Sequence, residues 1–184
     1  MKEKIQSTSN LPLYKIDSIF VAIICIESIG VSDIGITIAT FRKLFPDVLI
    51  QGINPNFIYG KRHIFEVIKI ILESNKRKIN ITKRLEMELL LRLVCCNQVD
   101  KAIDIGGIKN NGSACFVLLS EKKRPIIGSI KHIRKMYVKQ NICLLRVTKE
   151  KMNNICERLE FPCNKFNRKE FLKILTEKAT LVSL

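Results

Sequence analysis

The sequence has no tryptophan, and aromatic residues make up only 7% of it. That is too few for a platform on which successive bases stack. Acidic residues are in deficit, 17 against 32 basic ones, for a net charge of +15. Metal and redox patterns are missing as well. The seven cysteines (25, 95, 96, 115, 143, 156 and 163) form no CxxC pair and no zinc-like spacing with His63 or His132, the two histidines. Most lie in apolar runs, where cysteine behaves as a small buried hydrophobe, and the vicinal Cys95-Cys96 pair reads as buried in a helix. An odd count without a secretion signal points to a reducing, cytoplasmic compartment. The longest apolar run, SIFVAIICI (18–26), is far shorter than the about 20 residues a bilayer span needs, and the partners expected for the chain include no membrane. It is closed by Glu27 without a small-residue cleavage pattern, so it reads as a strand rather than a signal peptide.

What is present is a core-forming composition: 47% hydrophobic over 184 residues, dominated by Ile, Leu and Val. The expected architecture is α/β, a single compact domain with a small mixed or antiparallel sheet packed with several helices. Residues 1–15 read as a polar, poorly ordered lead-in and 16–184 as the domain. Strands are expected over 18–26, 47–54, 113–121 and 141–147. A helix follows Ser32 as N-cap with Asp33 on the positive end of its dipole, and Pro46 stops it. A second helix runs from Gly60, with Ile64, Val67, Ile68, Ile71 and Leu72 on one face and Lys61, Glu66, Lys69 and Glu73 on the other. A third starts at Thr82, with Leu85, Leu89, Arg92 and Leu93 near one stripe. A short helix spans about 98–105, a basic one covers RPIIGSIKHIRKMY, Thr148 caps another through Leu159, and NRKEFLKILTEKATL closes the chain as a last helix.

The charge is unevenly spread. Residues 1–60 hold five of each sign, 61–120 eleven basic and six acidic, and 121–184 sixteen and six. A basic excess of this size favours a polyanionic partner, nucleic acid or an anionic membrane. No nucleophile–base–acid set stands out. His63, on the first turn of its helix, reads as a surface or capping residue rather than a base. Glu86 and Glu88, two apart, project from different helix faces and form no acid/base dyad. The glycines at 106, 107 and 112 follow a helix and precede a strand, the reverse of a phosphate loop. Gly106 or Gly107 is therefore expected at a left-handed C-cap, and Asn110-Asn111-Gly112 as a turn. At the third helix, Lys83 and Arg84 occupy the expected first turn. Either they attract an anion to the unpaired N–H groups there, or Arg84 pairs with Glu88 one turn on.

Two stretches carry a resemblance: INPNFIYGKRHIFEVI, then NITKRLEMELLLRLVCCNQVDKAIDIGGIK. Together they resemble the small accessory subunit of the KEOPS complex, the TPRKB family. Its pattern reads N-P-x-x-V-x-G-x-x-H-L, followed by I-S-x-S-L-x-x-E-x-L-L-Y/R-A-S-G-x-R-Q-I-x-x-A-I-x-x-x-G-I/V-K. Asn54, Pro55, Gly60 and His63 fit the first part, and Ile81, Thr82, Leu85, Glu88, Leu90, Leu91, Gln98, Ala102, Ile103, Gly107, Ile108 and Lys109 the second. The resemblance implies a non-enzymatic subunit, without cofactor or metal, of the machinery that makes threonylcarbamoyladenosine beside the anticodon of tRNA. Its implied partners are the kinase-like ATPase subunit, the threonylcarbamoyl transferase reached through it, and tRNA, gripped by its CCA end. Two positions depart from the pattern: Cys95 stands for the family's glycine, suggesting an unbroken helix or an altered bend, and Asn97 for its arginine, where it can cap the next helix. Candidate tRNA contacts are Lys61, Arg62, Lys76, Arg77, Lys78, Lys83, Arg84, Gln98, Lys101 and Lys109, with Ile64, Ile81 and Leu85 as apolar neighbours for bases or as core. The alternatives are a protein–protein adapter without direct RNA binding, a generic RNA-binding module, and an unrecognised nucleic-acid enzyme.

Overall fold

The computed structural model describes residues 12–30, 34–137, 139–160, 162 and 166–182. Most of the expected lead-in, and the Ser32 and Asp33 cap, lie outside these residues. The fold is α/β, and the chain groups into two compact units, Met1–Gly52 with Ile108–Ile142 and Ile53–Gly107 with Cys143–Leu184.

The first unit is built on β-branched text. Leu13–Ile16 forms β1, Ile19–Ile26 β2, Leu49–Ile53 β3 and Ala114–Ser120 β4, in the sheet order β1-β2-β4-β3. The β1–β2 and β2–β4 pairs are antiparallel, with Ile24 opposite Phe116 and Cys25 opposite Cys115. Strand β1 takes the last residues of the expected lead-in. Its turn into β2 passes through Asp17 at φ 51, one of the few residue types that tolerate a left-handed backbone. Ala22, Ile24 and Ile26 share a core cluster with Phe116 and Leu118, with Phe41 of α1 (Ile34–Leu44), and with Ile126, Ile130 and Ile133 of α5 (Lys123–Met136). Phe41 meets Phe116 edge to face at 5.9 Å. The alternate residues of β2 and β4 are buried too, which explains why both read as continuous apolar runs rather than alternating ones.

The second unit is helical. It holds α2 (Gly60–Arg77), α3 (Leu85–Leu93), α4 (Val99–Gly106), α6 (Lys149–Arg158) and α7 (Arg168–Leu181). Helix α2 buries Ile64, Val67, Ile68 and Ile71, the period read from sequence, and packs on α3 and α7. Tyr59, Ile155, Phe171 and Leu175 form a second cluster, with Tyr59 and Phe171 edge to face at 4.8 Å. Thr148 caps α6 by accepting from the Lys151 N–H, and Asn167 and Glu170 form a capping box on α7.

Four local expectations need correction. The stretch 141–147 is not a strand. Ile142–Leu145 is a 3-10 turn with Ile142 and Cys143 exposed, so it lacks the alternating burial that would hold it to a sheet. Neither Gly106 nor Gly107 is left-handed: Gly107 is extended at φ −67, ψ 157, and Gly106 closes α4. They are needed for space instead. A Cβ on Gly106 would run into Val94, and one on Gly107 into the Ile103 carbonyl. The Cys95-Cys96 pair is not inside a helix, since α3 ends at Leu93 and Cys95 turns left-handed at φ 51. Asn97 does not cap α4; that position is Gln98, which makes no side-chain cap bond. Cys25, Cys95, Cys96, Cys115 and Cys143 are reduced, whereas Cys156 is disulfide-bonded.

Candidate nucleic-acid interface

The candidate cations do not form one cluster. Lys61 and Arg62 begin α2, exposed; Arg62 Nε lies 3.8 Å from Glu66 Oε1, and Lys61 Nζ is 5.9 Å from the Phe65 ring centre. Lys76 and Arg77 end the same helix, about 21 Å along its axis from Arg62. Gln98 and Lys101 are exposed at the start of α4. Lys109 belongs to the first unit. It is exposed in the turn after α4, where its carbonyl accepts from the Gly112 N–H at 3.0 Å.

What the structure does bring together is the α2–α3 connection. Residues 76–84 carry five cations and no acid. Lys76, Arg77, Lys78, Lys83 and Arg84 are all exposed. Arg77 pairs with Glu73 at 2.6 Å, and no ion pair among the described residues holds the other four side chains. Lys78 closes α2 in a left-handed conformation, φ 58 and ψ 36, with its N–H directed to the carbonyls of Asn75 and Ser74.

The start of α3 differs from the expectation. Thr82 is not its N-cap; Arg84 is, and Lys83 and Arg84 precede the first turn. That turn holds Glu86 and Glu88, both buried. Glu88 Oε2 accepts from the backbone N–H groups of Ile81 and Thr82, each at 3.0 Å. A carboxylate of the chain itself thus sits at this end, which removes the expected anion site. Nor does Arg84 pair with Glu88. Its partner is Arg92, whose Nε lies 2.8 Å from Glu88 Oε1, with both side chains fully buried. Arg92 Nη1 also donates to the Ala179 carbonyl in the last turn of α7 at 2.7 Å, while Nη2 is buried without a partner. The Glu-to-Arg spacing of four on an apolar helix is the sequence signal for this pair, although Arg92 also falls on the apolar stripe.

His63 is fully buried rather than at the surface. It does cap: its Nδ1 accepts from the Tyr59 N–H at 3.2 Å, at the N-terminus of α2. Burial pushes its pKa down to about 4. Ile64 is core, and Ile81 and Leu85 are half-buried. The exposed apolar residues of this unit include Ile79 in the connection and Val99 and Ile103, one turn apart on α4.

Among the described residues no group of His, Cys, Asp or Glu is arranged to hold a metal ion, and no helix is long and apolar enough to cross a membrane. A scan against protein-family models returns no match, and neither does a search of curated proteins.

Proposed function

We propose that this chain is a non-catalytic accessory subunit that recruits tRNA, through its CCA end, to a KEOPS-type threonylcarbamoylation machinery and docks on its kinase-like ATPase subunit. The observation that carries the nucleic-acid part is the α2–α3 connection, five exposed cations in nine residues with no acid among them. Such a segment gains affinity for phosphates by releasing their counterions. Ile79 lies within it, 52% exposed, and offers an apolar surface to an unstacked base. The assignment to this machinery rests on the ordered pattern from Asn54 to Lys109. Full-length tRNA is expected to shift in a gel at lower protein concentration than tRNA lacking its CCA end; equal affinities rule out end recognition.

A second reading, an adapter that holds the kinase-like subunit without binding RNA, is favoured by Val99 and Ile103. They are 37% and 46% exposed and lie on one side of α4, a surface suited to a protein partner. Lys83→Glu with Arg84→Glu separates the two. An adapter keeps complex assembly and tRNA modification, whereas a tRNA recruiter keeps assembly and loses modification.

A further inference from the structure

The candidate contacts expected from the sequence all lie within residues 61–109, and none of the cations of α5 is among them. Residues 122–139 hold seven Lys or Arg and no Asp or Glu, whereas α6 and α7 intersperse their cations with Glu150, Glu157, Glu170 and Glu177. At 100° per residue, Arg124, Lys131 and Lys135 fall within about 40° of one another. Their Cα atoms are spaced by about 10 Å and then about 6 Å along the axis. All three are exposed, and none has an ion-pair partner among the described residues.

We propose that this line of α5 is a binding site for the phosphate backbone of a nucleic-acid duplex. It spans about 16 Å, and a duplex strand presents a phosphate about every 3.4 Å of its axis. An anionic membrane fits less well. Surface-bound helices insert an apolar face beside their cations, and the apolar face of α5, Ile126, Ile130 and Ile133, is buried in the core of its own unit. The site does not depend on end recognition or on the α2–α3 connection, and it needs no base contact.

The test uses the full chain, blunt 20-base-pair RNA and DNA duplexes, and vesicles rich in phosphatidylserine. Arg124→Gln, Lys131→Gln and Lys135→Gln together leave the buried face of α5 untouched. Three phosphate contacts fewer lower the slope of log K against log salt by about 2 to 3, a loss of affinity of about 100-fold or more at about 0.1 M salt. A control triple, Arg158→Gln, Lys169→Gln and Lys173→Gln, removes the same charge from α6 and α7, with circular dichroism confirming that both variants fold. Loss of duplex binding in the α5 variant alone supports the site, and the RNA and DNA arms show which duplex it takes. Equal effects of the two triples, an unchanged slope, or binding to vesicles but to neither duplex overturns it. Because the duplexes have no single-stranded end, a failure here leaves the CCA comparison standing, and the reverse also holds.

Discussion

Lys78, the C-cap residue just after α2, sits at φ 58, where a Cβ crowds the following carbonyl and costs roughly 1–2 kcal/mol. Its side chain is exposed, so nothing in the packing repays that strain. Lys78→Gly removes it, partly offset by the larger unfolded-state freedom of glycine, and should stabilise the protein by about 0.5–1 kcal/mol. A urea midpoint that stays put or falls would contradict this. His63 gives a pH dependence of known sign. Its folded pKa of about 4 lies below the ordinary 6.5, so the unfolded chain takes up the proton first as pH falls. Its contribution is whole above about pH 6.5 and is lost progressively toward pH 4, about 2 kcal/mol of it between pH 7 and 5. In His63→Gln the difference in unfolding free energy between those two pH values should shrink by about that amount; an equal difference in both proteins refutes the assignment. These residues also show what the family-like pattern records. Asn54 caps the 3-10 turn Pro55–Phe57, Gly60 sits at φ 79, His63 accepts from Tyr59 and Glu88 is a buried anchor. Cys95, at φ 51, holds a conformation that the pattern's glycine adopts without strain. Most of the matching positions with a visible role are architectural, so they were legible as a pattern, whereas the contacts proposed for RNA rest on charge.

At the scale of elements, α2, α5, α6 and α7 were legible because two local signals agree in each: an apolar face of helical period, and a cap or a basic last turn. The failures arose where a tertiary partner decides the outcome. Strand β1 has four residues and exists by pairing with β2, and the beginning of α3 is fixed by Glu88, whose partner Arg92 reaches a carbonyl on α7, 87 residues away. No short window contains that information. The Glu88–Arg92 pair should accordingly behave as a buried unit. Arg92→Met leaves the Glu88 charge without its partner and should cost about 3–5 kcal/mol. Glu88→Gln in the same chain removes the stranded charge and should recover a substantial part of the loss. A double-mutant cycle read by urea unfolding measures this, and additive single effects would show that the two side chains do not act together.

For the whole molecule, a net charge of +15 guarantees some attraction to any polyanion, so binding by itself identifies no site. Position has to be separated from total charge. The distribution along the chain makes that possible, since residues 1–60 are balanced at five of each sign while 76–84 hold five cations alone. Lys83→Gln with Arg84→Gln and Lys15→Gln with Lys43→Gln each remove two charges from exposed positions. If the α2–α3 connection lies along a single-stranded RNA end, the first pair lowers the salt slope by about 1.4, at about 0.7 per phosphate contact. The second pair, in the balanced region, leaves the slope unchanged and lowers affinity only through the long-range field, which is screened beyond about 10 Å at 0.1 M salt. Titrations of a short single-stranded RNA at several salt concentrations give both quantities. Equal slopes for the two double variants would mean that the protein attracts RNA as a diffuse cation, and the connection would then lose its claim to be an interface.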